Sequence, residues 1–442
     1  MVTRAWQRAT QIAQVAALRK WFTRTQVGRR SVSWYLSGWR MGLIFLVIAI
    51  LFPQFIGNAG VFTGLIWDPN EGLVYVSISI GIYVLLALGL NIVVGYAGLL
   101  DLGYVAFFVI GSYTVAVFTG GIIDNIQGKP VPFVTASFWI LLPAAGILAG
   151  VFGVLLGTPT LRLRGDYLAI VTLGFGEILP LVFQNVPFFF GANGLSAIQP
   201  QDVGPFSFSD PLNHIGIYYL TLLALVLVIF AVQSLRDSSI GRAWIAIRED
   251  ETAAAASGVN LVRTKLMAFG LGAVTGGIGG ALNAIYTPNV SPAGFSFNIS
   301  ITILIMIVLG GIGSIPGVIL GAILLRFFDA YLLGQLDNAV HTSPLVESAH
   351  APLHFLASVD FNVAKFSIYG IVLLAMILLR PQGLLPNVRR QRELKGIGAS
   401  AEGASAVGLL MREEASGFEG LETVPDETEF TGAGSDARGR ED

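Results

Sequence analysis

The sequence predicts an all-α polytopic membrane protein of about ten transmembrane helices with glycine-broken segments, and three observations carry that prediction. Residues 266–325 contain no Asp, Glu, Lys or Arg, a run far longer than the ~20 residues that span a ~30 Å hydrocarbon layer. Of the 442 residues, 54% are hydrophobic and 12% charged, with a mean hydropathy of +0.71, whereas about 25% of the residues of an average soluble domain are charged. The 53 glycines suit helices that approach closely in lipid, where apolar burial gives little driving force.

The chain begins with forty residues that hold eight Arg and Lys and no acid. Trp6, Trp21, Phe22, Trp34 and Trp39 lie among these charges, a pattern that suits a helix lying on an anionic inner leaflet; a solvated leader is the other reading. A cleaved signal would have a short basic region, so 41–57 is read as a retained first span. Nine further apolar segments follow at 73–94, 103–120, 137–157, 167–190, 214–235, 265–287, 298–312, 316–333 and 363–379. Cytoplasmic loops are enriched in Arg and Lys. Counting ten spans puts the basic N-terminus, Arg162, Arg164, the 236–265 island, Arg380 and the Arg389–Arg392 cluster on one side. Loops 58–72, 121–136, 191–213, 288–297 and 334–362 contribute only Lys129 to the other. Both termini are therefore expected in the cytoplasm. The domain plan is a basic segment at 1–40, a membrane domain at 41–386 and an acidic tail at 387–442, whose scarcity of aromatics predicts disorder.

Between two long apolar blocks, residues 236–265 pack nine charges into thirty positions. This island is rich in Ala, free of Pro and bounded by Gly241 and Gly258. It reads as a short helix outside the bilayer, of the kind a transport subunit offers to a soluble partner. In the apolar blocks, Gly270–Leu282 reads as a helix-packing stripe. Two other clusters interrupt apolar runs: Gly95, Tyr96 and Gly98 in the first half, and Gly310, Gly311, Gly313 and Gly317 around Pro316 in the second. Such breaks at corresponding places point to a transporter's central pathway near the midplane; a plain cytoplasmic turn is the other reading. Polar groups in or beside spans are Asn91, Asp101, Tyr104, Glu177 and Asn283. A charge at a span centre usually faces the bundle or a wet cavity, so Glu177 reads either as a ligand for a substrate ammonium or as a buried, hydrogen-bonded structural acid. Arg326 and Asp329, three residues apart, share a helix face, where they are expected to pair near the outer interface or to snorkel outward; a functional role for these intramembrane charges is the other reading.

Five segments carry a family resemblance: LALGLNIVVGYAGLLDLGYVAFFVIGSY at 86–113, LRLRGDYLAIVTLGFGEI at 161–178, IGRAWIAIREDETAAAASGVN at 240–260, LGGIGSIPGVILGA at 309–322 and LRPQGLL at 379–385. Together they resemble the permease of branched-chain amino-acid ABC importers, the LivM type. The resemblance is collinear over 73–386. It implies the fold of the branched-chain amino-acid/sugar class of importer permeases, in a bacterial or archaeal plasma membrane. It also implies a heterodimer with a second permease subunit, two ATP-binding subunits and an extracytoplasmic substrate-binding protein. ABC importer permeases share an acid, an Ala pair and a Gly four residues after the second Ala. Glu251, Ala253, Ala254 and Gly258 match that pattern, with Thr252 inserted, so the resemblance makes the island the ATPase-coupling element. Asn91, Gly95, Tyr96, Gly98, Asp101, Glu177, Gly310, Gly311 and Gly313 are the corresponding candidates for the translocation pathway. A urea or short-amide permease of the same family is the substrate variant.

Other chemistry is excluded or unsupported. The chain has no Cys, hence no disulfide and no thiolate site. It has no GxxxxGK[ST] loop, so ATP hydrolysis is assigned to another chain. His341, His350 and His354 share one loop with Glu347, but Pro352 breaks the helical spacing of a metal pair, and no metal or cofactor is expected. Nothing resembles a nucleic-acid site, and no nucleophile, base and metal converge as in an enzyme. A stand-alone secondary transporter would need ion-coupling carboxylates and no docking loop, and the island argues against it.

Overall fold

The computed structural model describes residues 46–53, 72–118, 137–160, 163, 165–186, 189, 191–196, 215–287, 289–333, 361–380 and 383–385. Contacts divide the chain into Met1–Pro386 and Asn387–Asp442. The basic N-terminal segment, the 334–360 loop with its three histidines and the acidic tail lie outside the described residues.

The first unit is a helical bundle. Helix α1 covers 46–53, and α2, Gly72–Leu90, continues into a π-helical turn at Asn91–Tyr96. Then come α3, Val105–Phe118, α4, Phe138–Thr160, and α5, Asp166–Asn185. Helix α6, Ile215–Asp237, leads into two short helices, α7, Ser239–Glu249, and α8, Glu251–Ala256. The long α9, Leu261–Tyr286, is followed by α10, Phe297–Gly310, α11, Ile315–Phe327, with a π-helical extension Phe328–Leu332, and α12, Phe361–Leu379. Strands β1, Leu195–Ser196, and β2, Asn289–Val290, pair antiparallel.

Glycine decides where the core sits. Of the long apolar helices α9 is the most buried, and its small residues face three neighbours at once. Beside α4 it runs antiparallel: a Cβ at Gly157 would sit 3.2 Å from Leu266, at Gly150 2.7 Å from Val274 and at Gly146 3.2 Å from Ile278. Toward α3 it runs parallel, with Tyr104 donating to the Gly272 carbonyl at 2.9 Å and Ser112 to that of Gly280 at 2.9 Å. Against α2, a Cβ on Gly272 would sit 3.1 Å from the Gly89 carbonyl. Backbones meet where larger side chains would hold them apart, so the packing expectation for 270–282 holds.

Seven helices are long and apolar enough to cross a membrane, at 73–96, 138–160, 166–185, 215–237, 261–286, 292–310 and 315–332. Val105–Phe118 and Lys365–Met376 are shorter apolar helices. The expected ten therefore exceeds the count among the described residues. Two of the expected spans, 103–120 and 363–379, fall to these shorter helices, and 41–57 is described only at 46–53, where Tyr218 of α6 donates to the Ala49 carbonyl at 2.7 Å. The expected Arg326–Asp329 pair is present, and Asp329 also accepts Lys365 at 3.2 Å. Arg326 donates to Ser79 at 2.8 Å and lies 4.2 Å above the Tyr83 ring. These charges cross-link α2, α11 and α12, with the hydrogen bonds that buried ion pairs require.

Candidate functional site

At the end of the bundle where α2 and α10 finish, four segments distant in sequence converge. The π turn Asn91–Tyr96 closes α2 with Asn91 wholly buried. The Asn91 Oδ1 accepts the Gly313 N–H at 2.9 Å, in the four-residue turn between α10 and α11. That turn bends the chain back on itself: a Cβ at Gly310 would lie 2.2 Å from the Gly317 carbonyl, and at Gly321 2.3 Å from that of Met306. The C-terminal segment clasps the same place, with Leu384 N–H donating to Leu309 at 2.9 Å and Leu385 N–H to Gly310 at 3.1 Å. Gly311 and Gly383 have φ of +117° and +76°. A Cβ on Gly383 would stand 2.4 Å from the Gly311 Cα.

The fourth segment is the charged island. At its start Ser238 accepts the Gly241 N–H at 3.3 Å and caps α7. Gly241 lies so near the end of α6 that a Cβ would meet the Leu235 carbonyl at 2.3 Å. Trp244 and Ile247, one helical turn apart, are buried, and the Trp244 indole donates to the Thr264 carbonyl at 2.8 Å. Arg248 donates through Nη1 to the Gly95 carbonyl, and its Cα, Cβ and Cγ cover Gly98. Island and glycine turns are thus in direct contact.

Helix α8 is defined at both ends. Asp250 accepts the Thr252 N–H at 2.7 Å and the Ala253 N–H at 3.1 Å. The bond from the Thr252 hydroxyl, and after it those from the Ala253 and Thr252 N–H groups, hold the Asp250 carboxyl below its ordinary range. At the other end Gly258, at φ +87°, donates to Ala255, and Val259 donates to Ala254 at 3.1 Å. These two bonds form a Schellman ending, which places a left-handed residue at the position Gly258 occupies. Glu251 is not the cap; it pairs with Lys265 at 2.5 Å, its side chain 31% exposed and that of Lys265 7%. Thr252, Ala253, Ala255 and Ala256 are exposed, whereas Ala254 is buried within the chain. Ala254, one of the residues that match the coupling pattern, thus faces inward, toward the chain's own bundle.

The pathway candidates separate into groups. Asn91, Gly95, Gly98, Gly310, Gly311 and Gly313 come together, with Tyr96 buried in the same π turn. They meet where spans end, against the island, and not midway along a span as expected. The reason is the tight hairpin of α10 and α11: its glycines are a turn, not a break within one helix. Asp101 lies in the next loop, buried, with Oδ1 accepting the Gly103 N–H at 2.9 Å. It lines a small cavity with Phe107, Thr172, Phe175 and Phe269. Burial pushes its carboxyl up to about 6 against the opposing bonds from Gly103 and Thr172. Glu177 stands apart on α5, exposed and not buried, its Oε1 accepting the Phe297 N–H at 3.2 Å at the start of α10. Sequence reasoning missed Trp244, Arg248 and Lys265 as structural partners of the island. A buried stripe at Gly241, Trp244 and Ile247 was the available signal.

The family described as branched-chain amino acid transport system, permease component, matches residues 72–379. The high-affinity branched-chain amino acid transport system permease protein LivM of Escherichia coli K12 is 38% identical over 380 residues, 81% of this chain and 77% of that protein. A probable LivM of Methanocaldococcus jannaschii is 24% identical over 336 residues, 70% of this chain and 91% of its own length. The LivH permease protein of Escherichia coli K12 is 32% identical over 146 residues, 32% of this chain and 46% of that protein. No solved structure matches.

Proposed function

The chain belongs to the family of permease components of branched-chain amino acid transport systems, and from that premise we propose that it is one membrane half of an ATP-driven importer for branched-chain amino acids. Similarity to both LivM and LivH relatives supports a second, related permease as its partner. Two ATP-binding subunits and an extracytoplasmic binding protein complete the assembly. The end bearing the island faces the cytoplasm, since Arg242, Arg248, Arg263 and Lys265 cluster there and basic residues mark cytoplasmic loops. Ten spans with both termini cytoplasmic remain the proposed topology, with 41–57 as the first. The urea or short-amide variant has no support among the relatives, all of which are named for branched-chain amino acids.

The observation that carries this reading is α8, a six-residue helix capped at both ends, tied to α9 by an ion pair, and presenting small exposed side chains. Small residues let a helix lie close in a groove of a partner, and the absence of a nucleotide loop in this chain makes an ATPase the fitting one. Closure of the ATPases on ATP would push α8, and the push would reach the bundle at the glycine turns. These turns, with Asn91, are the proposed inner end of the translocation pathway, while Glu177 and Asp101 are proposed to line it at other depths.

Ala256→Arg tests the docking. The variant is expected to insert and pair with the second permease, yet to lose ATPase co-purification and leucine uptake. Retention of both would remove α8 from the coupling interface.

A further inference from the structure

We propose that Arg248 is a positioning residue for transport, the strut through which the island acts on the Gly95 and Gly313 turns. The inference rests on the coupling reading of α8 and adds the route by which its movement enters the bundle.

Three observations support it. The Gly95 carbonyl belongs to the closing turn of α2, where carbonyls lack a helical partner and the helix dipole is negative. An arginine fork offers several fixed donors to such a site, and Arg248 donates to this carbonyl. Next, the turns leave room for that side chain. A Cβ on Gly98 would lie 2.8 Å from the Arg248 Cγ, and one on Gly313 would lie 3.3 Å from its Nη1. Both glycines have positive φ, +70° and +82°, where other residues are strained. Finally, the strut continues beyond Gly95. Asn91, in the same π turn, holds the Gly313 N–H at 2.9 Å, and the α10–α11 turn is clasped in turn by Leu384 and Leu385.

The ties of Trp244 to Thr264 and of Glu251 to Lys265 have a different reach. They fasten α7 and α8 to the base of α9, which directly follows them in the chain. Arg248 reaches α2, 153 residues away. Displacement of α8 therefore carries α7 with it, and Arg248 converts that displacement into a pull on the closing turn of α2.

The test uses the complete importer in proteoliposomes, with its ATP-binding subunits, second permease and binding protein. Arg248→Ala is expected to retain both ATPases and their hydrolysis while leucine imported per ATP falls about tenfold or more, as loss of a charged hydrogen bond predicts. Half-saturation by the loaded binding protein stays within about twofold, because the change lies in coupling and not in cargo delivery. Arg248→Lys, which keeps a charged donor, recovers part of the ratio. Normal import per ATP in Arg248→Ala would overturn the proposal, and so would loss of the ATPases, which would make Arg248 part of the docking surface. Failure of the docking reading is read separately, from Ala256→Arg. Should Arg248→Ala not insert, spin labels decide. The chain has no native Cys, so Ile245→Cys on α7 and Ile312→Cys in the α10–α11 turn, 43% and 39% exposed, can be labelled cleanly. Their separation is expected to stay the same in nucleotide-free and ATP-trapped states. A separation that changes between the states would show island and turn moving independently, and the strut would be refuted.

Discussion

Single residues in this protein reveal where the fold accepts a cost. Asp101 is buried with only one carboxylate oxygen bonded among the described residues, and burial raises its carboxyl from 3.8 to about 6. A raised carboxyl favours the proton in the native state. The stability contributed by that proton is complete below the ordinary value of 3.8 and is lost as pH rises through about 6. Asp101→Asn, which can still accept the Gly103 N–H, should therefore raise the melting temperature in detergent at pH 7.5. It should also flatten the dependence of unfolding free energy on pH between 4 and 7, by about 3 kcal/mol from the size of the shift. An unchanged pH profile would mean that the carboxyl is not desolvated. The adjacent acids of the island teach a related lesson. Asp250 and Glu251 are interchangeable to sequence reasoning, yet one caps α8 and the other pairs with Lys265. Backbone angles at Asp250, extended at φ −155° and ψ 114°, make that choice, and no local residue pattern reports them. Gly258 was legible because a left-handed helix end has a residue preference of its own.

Among the elements, the island is held to the bundle by side chains that the apolar pattern identifies and by polar contacts that it does not. Lys265 is buried and its partner Glu251 half-exposed. Removing the acid leaves a buried cation without its partner, which costs more than removing both charges. Glu251→Gln should thus destabilise the detergent-solubilised protein more than Glu251→Gln combined with Lys265→Met, in a thermal double-mutant cycle. A double variant that is worse than the single one would show the pair to be net stabilising. Trp244→Phe keeps an aromatic ring but loses the pyrrole part of the buried indole and its bond to the Thr264 carbonyl. It should cost at least about 1 kcal/mol, against roughly 3–5 kcal/mol for Trp244→Ala, both read from unfolding midpoints. Helix existence was legible from apolar length, and the glycine stripe of α9 from spacing. The direction faced by Ala254 was not, because it depends on where Trp244 docks. The depth of the glycine breaks was not either, because an apolar run reads alike whether it is one broken helix or a tight hairpin.

At the scale of the whole molecule, the directions of the described helices alternate consistently. α4 and α2 run antiparallel to α9, and α3 runs parallel to it. Reporter fusions after Gly165 and Asn260 should therefore report one compartment, the cytoplasm, and a fusion after Gln201 the other. A cytoplasmic signal at Gln201 would break the alternation between α5 and α6. The clasp of Leu384 and Leu385 on α10 bears on the order of events during synthesis. A ribosome makes this chain from its N-terminus, so α2, the island and the α10–α11 turn all exist before Gly383 emerges. The platform under the island is closed by some of the last residues of the membrane unit to be made. In a nascent chain the α10–α11 turn thus stays without its Leu384 and Leu385 bonds until the segment after α12 has been made.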